Sequence, residues 1–206
     1  IHSATAQVST ADKVAAETLF DQGLNLLRSG KLSEACPKFE QSERIDPAVG
    51  TLLYLAECYE RTGRTASAWA TYREAASAAS ASGQAERAKV GQARAEKLAP
   101  LLSRVTFVVA PQGDSEGFEL RRDGIVVSSA LFGVAIPLDP GDHAITATAP
   151  GYESLETTIS VSEGTARQEV YIPALRRKET PAAAPPATKP PSAGYIIGRL
   201  TIGEHV

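Results

Sequence analysis

From Ala11 to about Val105 the apolar residues return every three or four positions, the period of a helix that buries one face. Ala15, Leu19, Leu26 and Leu27 form one stripe, and Cys36, Phe39 and Ile45 form the next. Between them Arg28-Ser29-Gly30-Lys31 supplies a basic last turn and a glycine able to close it, which predicts two antiparallel helices joined by a short link. The pattern recurs 33 residues later, aligning Gly23 with Ala56, Leu26 with Tyr59, Gly30 with Gly63, Ala35 with Ala68, Phe39 with Tyr72 and Ser42 with Ala75. Small residues suit the close approach of two helices, an aromatic fills the wedge between them, and glycine takes the left-handed turn. A further helix is expected from Gln84 to Leu102, packing through Ala85, Ala88, Val90, Ala93, Ala95 and Leu98.

After Pro100 the period drops to two. Val105–Val109, Phe118–Arg121, Ile125–Val127, His143–Thr148, Glu156–Val161 and Gln168–Ile172 read as short strands. Turns at Asp123-Gly124, Pro140-Gly141-Asp142, Pro150-Gly151 and Glu163-Gly164 separate them. Short strands at such spacing predict an antiparallel sandwich or small barrel. The expected fold class is thus α+β: helical repeats with a capping helix, then a small antiparallel β-sandwich.

The repeat period and its residue classes resemble the tetratricopeptide repeat over roughly residues 16 to 79, with Asp46-Pro47 closing the first unit. Leu19 and Leu52 stand where that family commonly has Trp, and the spacing is one residue short. Because about three such repeats are usually needed to bury a continuous core, the helix after Gln84 is expected to cap the stack. The resemblance implies a groove lined by the first helix of each repeat. Phe20, Leu24, Leu27, Leu53, Glu57, Glu60 and Arg61 would face it, an apolar floor with charged rims that suits a partner peptide. Leu27 and Leu53 equally fit a role beneath the capping helix.

Arg122-Asp123-Gly124, Pro140-Gly141, His143 and Gly151-Tyr152 resemble the turns and corner of the PEGA domain, a small surface-protein β module, although the eponymous tetrapeptide is absent. Taken with Glu34-Ala35-Cys36-Pro37-Lys38-Phe39-Glu40, Gly50–Cys58 and Ala66-Ser67-Ala68-Trp69-Ala70, the arrangement is similar to a group of myxobacterial envelope proteins. In that group a Pro-rich linker leads to a membrane span. Here Pro181 to Pro191 reads as an extended spacer. The apolar stretch beyond it runs into Arg199 and Glu204, short of the roughly 20 apolar residues that a span needs. A membrane anchor therefore enters only if the parent gene continues past Val206.

Ala4-Thr5-Ala6 is the small-x-small pattern that signal peptidase accepts, so residues 1–10 are read as a signal-peptide remnant and export to the periplasm or cell envelope is expected. Residues 11–104 form the expected helical unit, 105–174 the β unit and 175–206 a Pro/Ala-rich linker and tail. Cys36 and Cys58 fall on neighbouring helices of successive repeats, compatible with a disulfide in an oxidising compartment or with two buried small hydrophobes. The net charge of −3 hides an asymmetry: residues 1–104 carry 13 basic and 12 acidic side chains, 105–173 carry 3 and 10, and the remainder 5 and 2. No stretch offers the basic face that nucleic acid needs, and nucleic acid is set aside as a partner.

Gly113-Asp114-Ser115-Glu116-Gly117 satisfies a hydrolase G-x-S-x-G pattern literally, but a nucleophile elbow needs a helix after it and here a strand follows. The pentapeptide reads as a polar hairpin loop. His2, His143, His205 and the cysteines lack the spacing of a zinc site, and Asp139 and Asp142 read as turn formers. No catalytic residue, metal or cofactor is expected. The sequence reads as a non-catalytic adaptor or scaffold of the bacterial cell envelope that binds a protein or peptide partner. The alternative is a wall-associated spacer whose β module touches polysaccharide through Tyr152 or Phe132.

Overall fold

The computed structural model describes residues 8–111 and 116–178, and it is α+β. Five helices come first: α1 (Thr10–Arg28), α2 (Leu32–Ile45), α3 (Val49–Arg61), α4 (Thr65–Ala81) and α5 (Ala85–Leu98). Seven strands follow: β1 (Arg104–Val109), β2 (Glu119–Arg122), β3 (Ile125–Val127), β4 (Ala135–Pro137), β5 (Gly141–Thr148), β6 (Leu155–Val161) and β7 (Arg167–Ile172).

Three helix ends close in the same way. After α1, Lys31 N–H donates to Leu26 O and Gly30 N–H to Leu27 O. After α3 the pairs are Arg64 to Tyr59 and Gly63 to Glu60, and after α4 they are Gln84 to Ala79 and Gly83 to Ser80. Gly30, Gly63 and Gly83 have φ of 76°, 76° and 72°, the left-handed conformation this closure requires and that only glycine adopts without strain. The helix starts are less uniform. Ser9 Oγ accepts from Asp12 N–H at 3.1 Å to cap α1, and Glu43 Oε2 accepts from Ala48 N–H at 3.1 Å at the entry to α3. The residue preceding α4, Arg64, gives no side-chain cap of its own.

Between the helices lies one core containing Leu27, Phe39, Leu55, Ala56, Cys58, Tyr59, Ala68, Tyr72 and Leu98. The aligned small residues Ala35, Ala56, Ala68 and Ala75 are all fully buried. At Gly23 a methyl group would stand 2.7 Å from the Phe39 ring, so that position admits only hydrogen in the present packing. Ser42, the counterpart of Ala75, is buried because its hydroxyl donates to Ala16 O at 2.8 Å. Helix α5 ends at Leu98 and tightens into a 3₁₀ turn over Ala99–Leu101, rather than running on to Leu102 as the periodicity predicted. Pro100 accounts for this, since its ring removes a backbone donor and restricts Ala99.

The strands form two sheets, β4-β1-β7 and β3-β2-β5-β6. The second is antiparallel throughout, with β2 and β3 joined by the Asp123-Gly124 turn, at φ 51° and 77°. The first is mixed: β1 runs antiparallel to β4 but parallel to β7, in the register Phe107↔Val170. The expectation of an all-antiparallel arrangement is corrected here, because the chain returns to β1 only after passing through the other sheet. Strand β4 was not foreseen either, as its three residues end in Pro137 and are too few to show an alternation. A second core, including Val105, Phe107, Leu120, Ile145, Ala147, Ile159, Val161, Val170 and Ile172, draws residues from both sheets.

Candidate functional site

The seven residues expected to line a groove divide into two groups. Phe20 and Leu24 on α1 and Leu53 on α3 are partly buried, packed on the edge of the helical core with one side open. Tyr54, which the sequence reading did not single out, joins them: its ring lies 5.5 Å from Phe20 and 5.9 Å from Phe39, and the residue is 37% exposed. Leu27, by contrast, is 6% exposed and belongs to the core, and this placement removes it from the groove.

The charged rim is occupied by internal partners. Glu60 accepts from Tyr72 Oη at 3.0 Å and from Arg94 Nη1 at 3.3 Å, tying α3 to α4 and α5. Glu57 and Arg61 pair with each other at 3.9 Å along α3. Glu40 makes a similar arrangement one helix earlier, accepting from Tyr59 Oη at 2.7 Å and Arg64 Nη1 at 3.3 Å. Burial, reinforced by the neighbouring carboxylate in each case, pushes the Tyr59 and Tyr72 hydroxyls well above the ordinary phenol value. Both therefore stay protonated donors and serve as struts.

A separate concavity lies between α4 and α5, a cleft of about 400 Å³. Trp69, Arg73, Ala76, Ser77 and Ser80 line it from α4, and Ala88, Gln92, Ala95 and Glu96 from α5, with Ala99 of the 3₁₀ turn that follows. Both sets recur at offsets of 4, 7, 8 and 11 residues, one stripe on each of two helices. The floor is shallow because its side chains are small and because the helices approach closely. A methyl group on Gly91 would stand 2.8 Å from Tyr72 O. Trp69 marks one end, with the Arg73 guanidinium 4.9 Å from its ring centroid. Repeat alignment could not locate this cleft, since α5 has no partner helix after it to reveal a third unit.

Trp69 also lines a smaller cleft of about 290 Å³ with Ala66, Ser67 and Ala70 of α4 and Arg122, Pro137, Leu138 and Asp139 of the β half. The two halves of the chain meet here. Asp139 accepts from Ser67 N–H at 2.8 Å and Ser67 Oγ at 2.5 Å, and lies 3.5 Å from Arg64 Nε. The aspartate read as a turn former is the missing N-cap of α4, supplied from the other half of the molecule.

Cys36 and Cys58 form a disulfide, with Cα atoms 5.6 Å apart. It links α2 to α3. Among the described residues no group of three or more His, Cys, Asp or Glu side chains is placed to hold a metal ion, and no helix is long and apolar enough to cross a membrane. Ser115 of the G-x-S-x-G pattern lies outside the described residues, as do the proposed cleavage site, the Pro-rich linker and the histidines His2 and His205. Tyr152 pairs with Arg177, whose guanidinium lies 5.7 Å from the ring centroid, and Phe132 packs on Phe118 at 6.2 Å. No protein-family model matches the chain, and a comparison with curated proteins finds no relative.

Proposed function

We propose that this protein is a non-catalytic adaptor of the bacterial cell envelope, in which a tetratricopeptide-like helical head binds an apolar segment of a protein partner and a PEGA-like β module carries it. The observation that bears most weight is the α4–α5 cleft. Its volume of about 400 Å³ falls in the range of ligand-binding pockets, and it couples a small-residue floor to a partly buried tryptophan, the only one in the chain. Tryptophan and arginine are the side chains that most often anchor partners. The open face around Phe20, Leu24, Leu53 and Tyr54 is the weaker candidate, since its charged rim is already consumed internally. The Cys36–Cys58 disulfide favours an oxidising compartment and so supports export.

The test is affinity capture from envelope extract with the full-length chain and two variants whose folding is checked by circular dichroism. Ser77 is exposed on the cleft wall, so Ser77→Arg fills the cleft without disturbing the core. Loss of a defined protein partner with Ser77→Arg, at least tenfold, and its retention with Leu24→Glu support the α4–α5 site. The reverse pattern moves the site to the α1–α3 face. Retention of polysaccharide alone, unaffected by either change, overturns the adaptor reading in favour of a wall-associated spacer.

A further inference from the structure

Each of the two sheets has two edge strands, and the four edges differ. β3 and β4 are three residues long, and β4 ends in Pro137. β6 is longer but carries a single charged residue, Glu156. β7 runs for six residues, Arg167-Gln168-Glu169-Val170-Tyr171-Ile172, with opposite charges two positions apart. Shortness, proline and charge are the usual means of blunting a sheet edge. An alternation of opposite signs does the reverse for one partner, because it is complementary to itself when the strand is turned round.

The backbone of β7 faces two ways. Ala166 O accepts from Arg104 N–H at 2.8 Å and Ile172 O from Ala110 N–H at 2.9 Å, so the even-numbered residues turn their amide groups toward β1. Those of Arg167, Glu169 and Tyr171 point away from the sheet, and among the described residues they have no hydrogen-bond partner. Val170 and Ile172 are buried between the sheets, which places the side chains of Arg167, Glu169 and Tyr171 on the outer face. That face is unbalanced. Arg104 of β1 is the direct neighbour of Arg167, and among the described residues neither has a carboxylate partner, nor does Glu169 have a cation. Tyr171 is 66% exposed beside its β1 neighbour Val108, itself 38% exposed.

We propose that β7 pairs antiparallel with β7 of a second copy of this chain, across a two-fold axis, in the register that sets Arg167 opposite Glu169. In a two-fold contact residue i meets j and j meets i, so this register makes the arginine–glutamate match twice. A register moved by two residues sets Arg167 against itself in one direction and Glu169 against itself in the other, and like charges directly opposite are destabilising. A shift by one sets an open amide against one that β1 already uses. The matched register forms two hydrogen-bonded pairs, each exchanging both of its N–H···O bonds, and so satisfies the open amides of Arg167 and Glu169. Tyr171 then lies diagonal to the second copy's Arg167, a separation that an aromatic ring and a guanidinium can span. The two three-stranded sheets become one continuous sheet with β7 covered at its centre.

Analytical ultracentrifugation of the full-length protein, its disulfide intact, tests this over a concentration series up to about 1 mM, the weak end of the affinity scale. The chain should pass from monomer to dimer as concentration rises, and the amides of Arg167 and Glu169 should gain hydrogen-exchange protection over the same range. Glu169→Arg and Arg167→Glu each set like charges opposite one another twice and should weaken dimerisation roughly tenfold. Mixed in equal amounts, these two variants offer an arginine edge to a glutamate edge, and dimers should return. Misfolded chains do not complement, so recovery on mixing separates loss of the interface from loss of the fold. Glu169→Pro removes an N–H that points at the second copy and none that bonds to β1, and it should abolish the dimer. A chain that stays monomeric throughout the series overturns the proposal, whether or not an added peptide binds this edge. So does a dimer that survives Glu169→Arg and Glu169→Pro, or a failure of the two charge variants to associate on mixing.

Discussion

Gly91 and Gly23 show how one hydrogen in place of a methyl group sets the distance between two helices. At Gly91 the added carbon would meet Tyr72 O at 2.8 Å and Ala76 N at 3.0 Å, both backbone atoms held by α4. At Gly23 it would meet only the Phe39 ring. Alanine is the better helix former by about 1 kcal/mol, yet overpacking of this kind costs about 1–3 kcal/mol. Gly91→Ala is accordingly expected to lower unfolding stability in urea by up to about 2 kcal/mol, and to cost more than Gly23→Ala, because a ring can turn where a carbonyl cannot. The reverse ordering would mean that α4 and α5 are free to separate. Gly23 was legible in the sequence through its alignment with Ala56, whereas Gly91 sits in a helix with no aligned counterpart. Asp139 was legible only as a turn residue, for nothing local to Pro137-Leu138-Asp139-Pro140 reveals that its carboxylate caps the first turn of a helix, at a residue 72 positions earlier.

Helices α1 to α4 follow from periodicity and from glycines at fixed offsets, which are local signals, and β2, β3 and β5 follow from alternation and from the Asp123-Gly124 turn. The parallel pairing of β1 with β7 leaves no such trace, since it depends on where the chain goes between them. The disulfide joins two elements that periodicity does locate, and its effect is therefore predictable. Cys36 and Cys58 enclose a separation of 22 residues, for which the chain-entropy model gives about 3 kcal/mol. Both positions are buried, so Cys36→Ala with Cys58→Ala also leaves some unfilled space around α2 and α3. Urea denaturation of the double variant should show a stability loss of about 3–4 kcal/mol in the helical half. A loss below about 1 kcal/mol would mean that the unfolded chain already keeps these two helices together.

Where that loss appears depends on how the two halves are coupled. The helical core and the β core share no residue, and the joints between them are narrow: the Asp139 cap, the bond from Leu138 N–H to Ser103 O at 3.1 Å, and the strand entry at Arg104. Perturbations with no common partner add independently, whereas a perturbation of the joint itself acts on both sides. Trp69, on α4 beside the joint, reports on the helical half by fluorescence, and the amides of Phe107 and Ile145 report on the β half by hydrogen exchange. Removing the disulfide should move the Trp69 transition to lower urea and leave exchange at Phe107 and Ile145 unchanged. Asp139→Ala, milder in total, should shift the Trp69 transition and also speed exchange in the β half, because the turn it loosens is the one that feeds β5. If the disulfide variant accelerates exchange in the β half as strongly as in the helical half, the molecule unfolds as one unit and the junction is part of a shared core. If the β half is untouched by either change, Asp139 caps α4 without carrying any coupling between the halves.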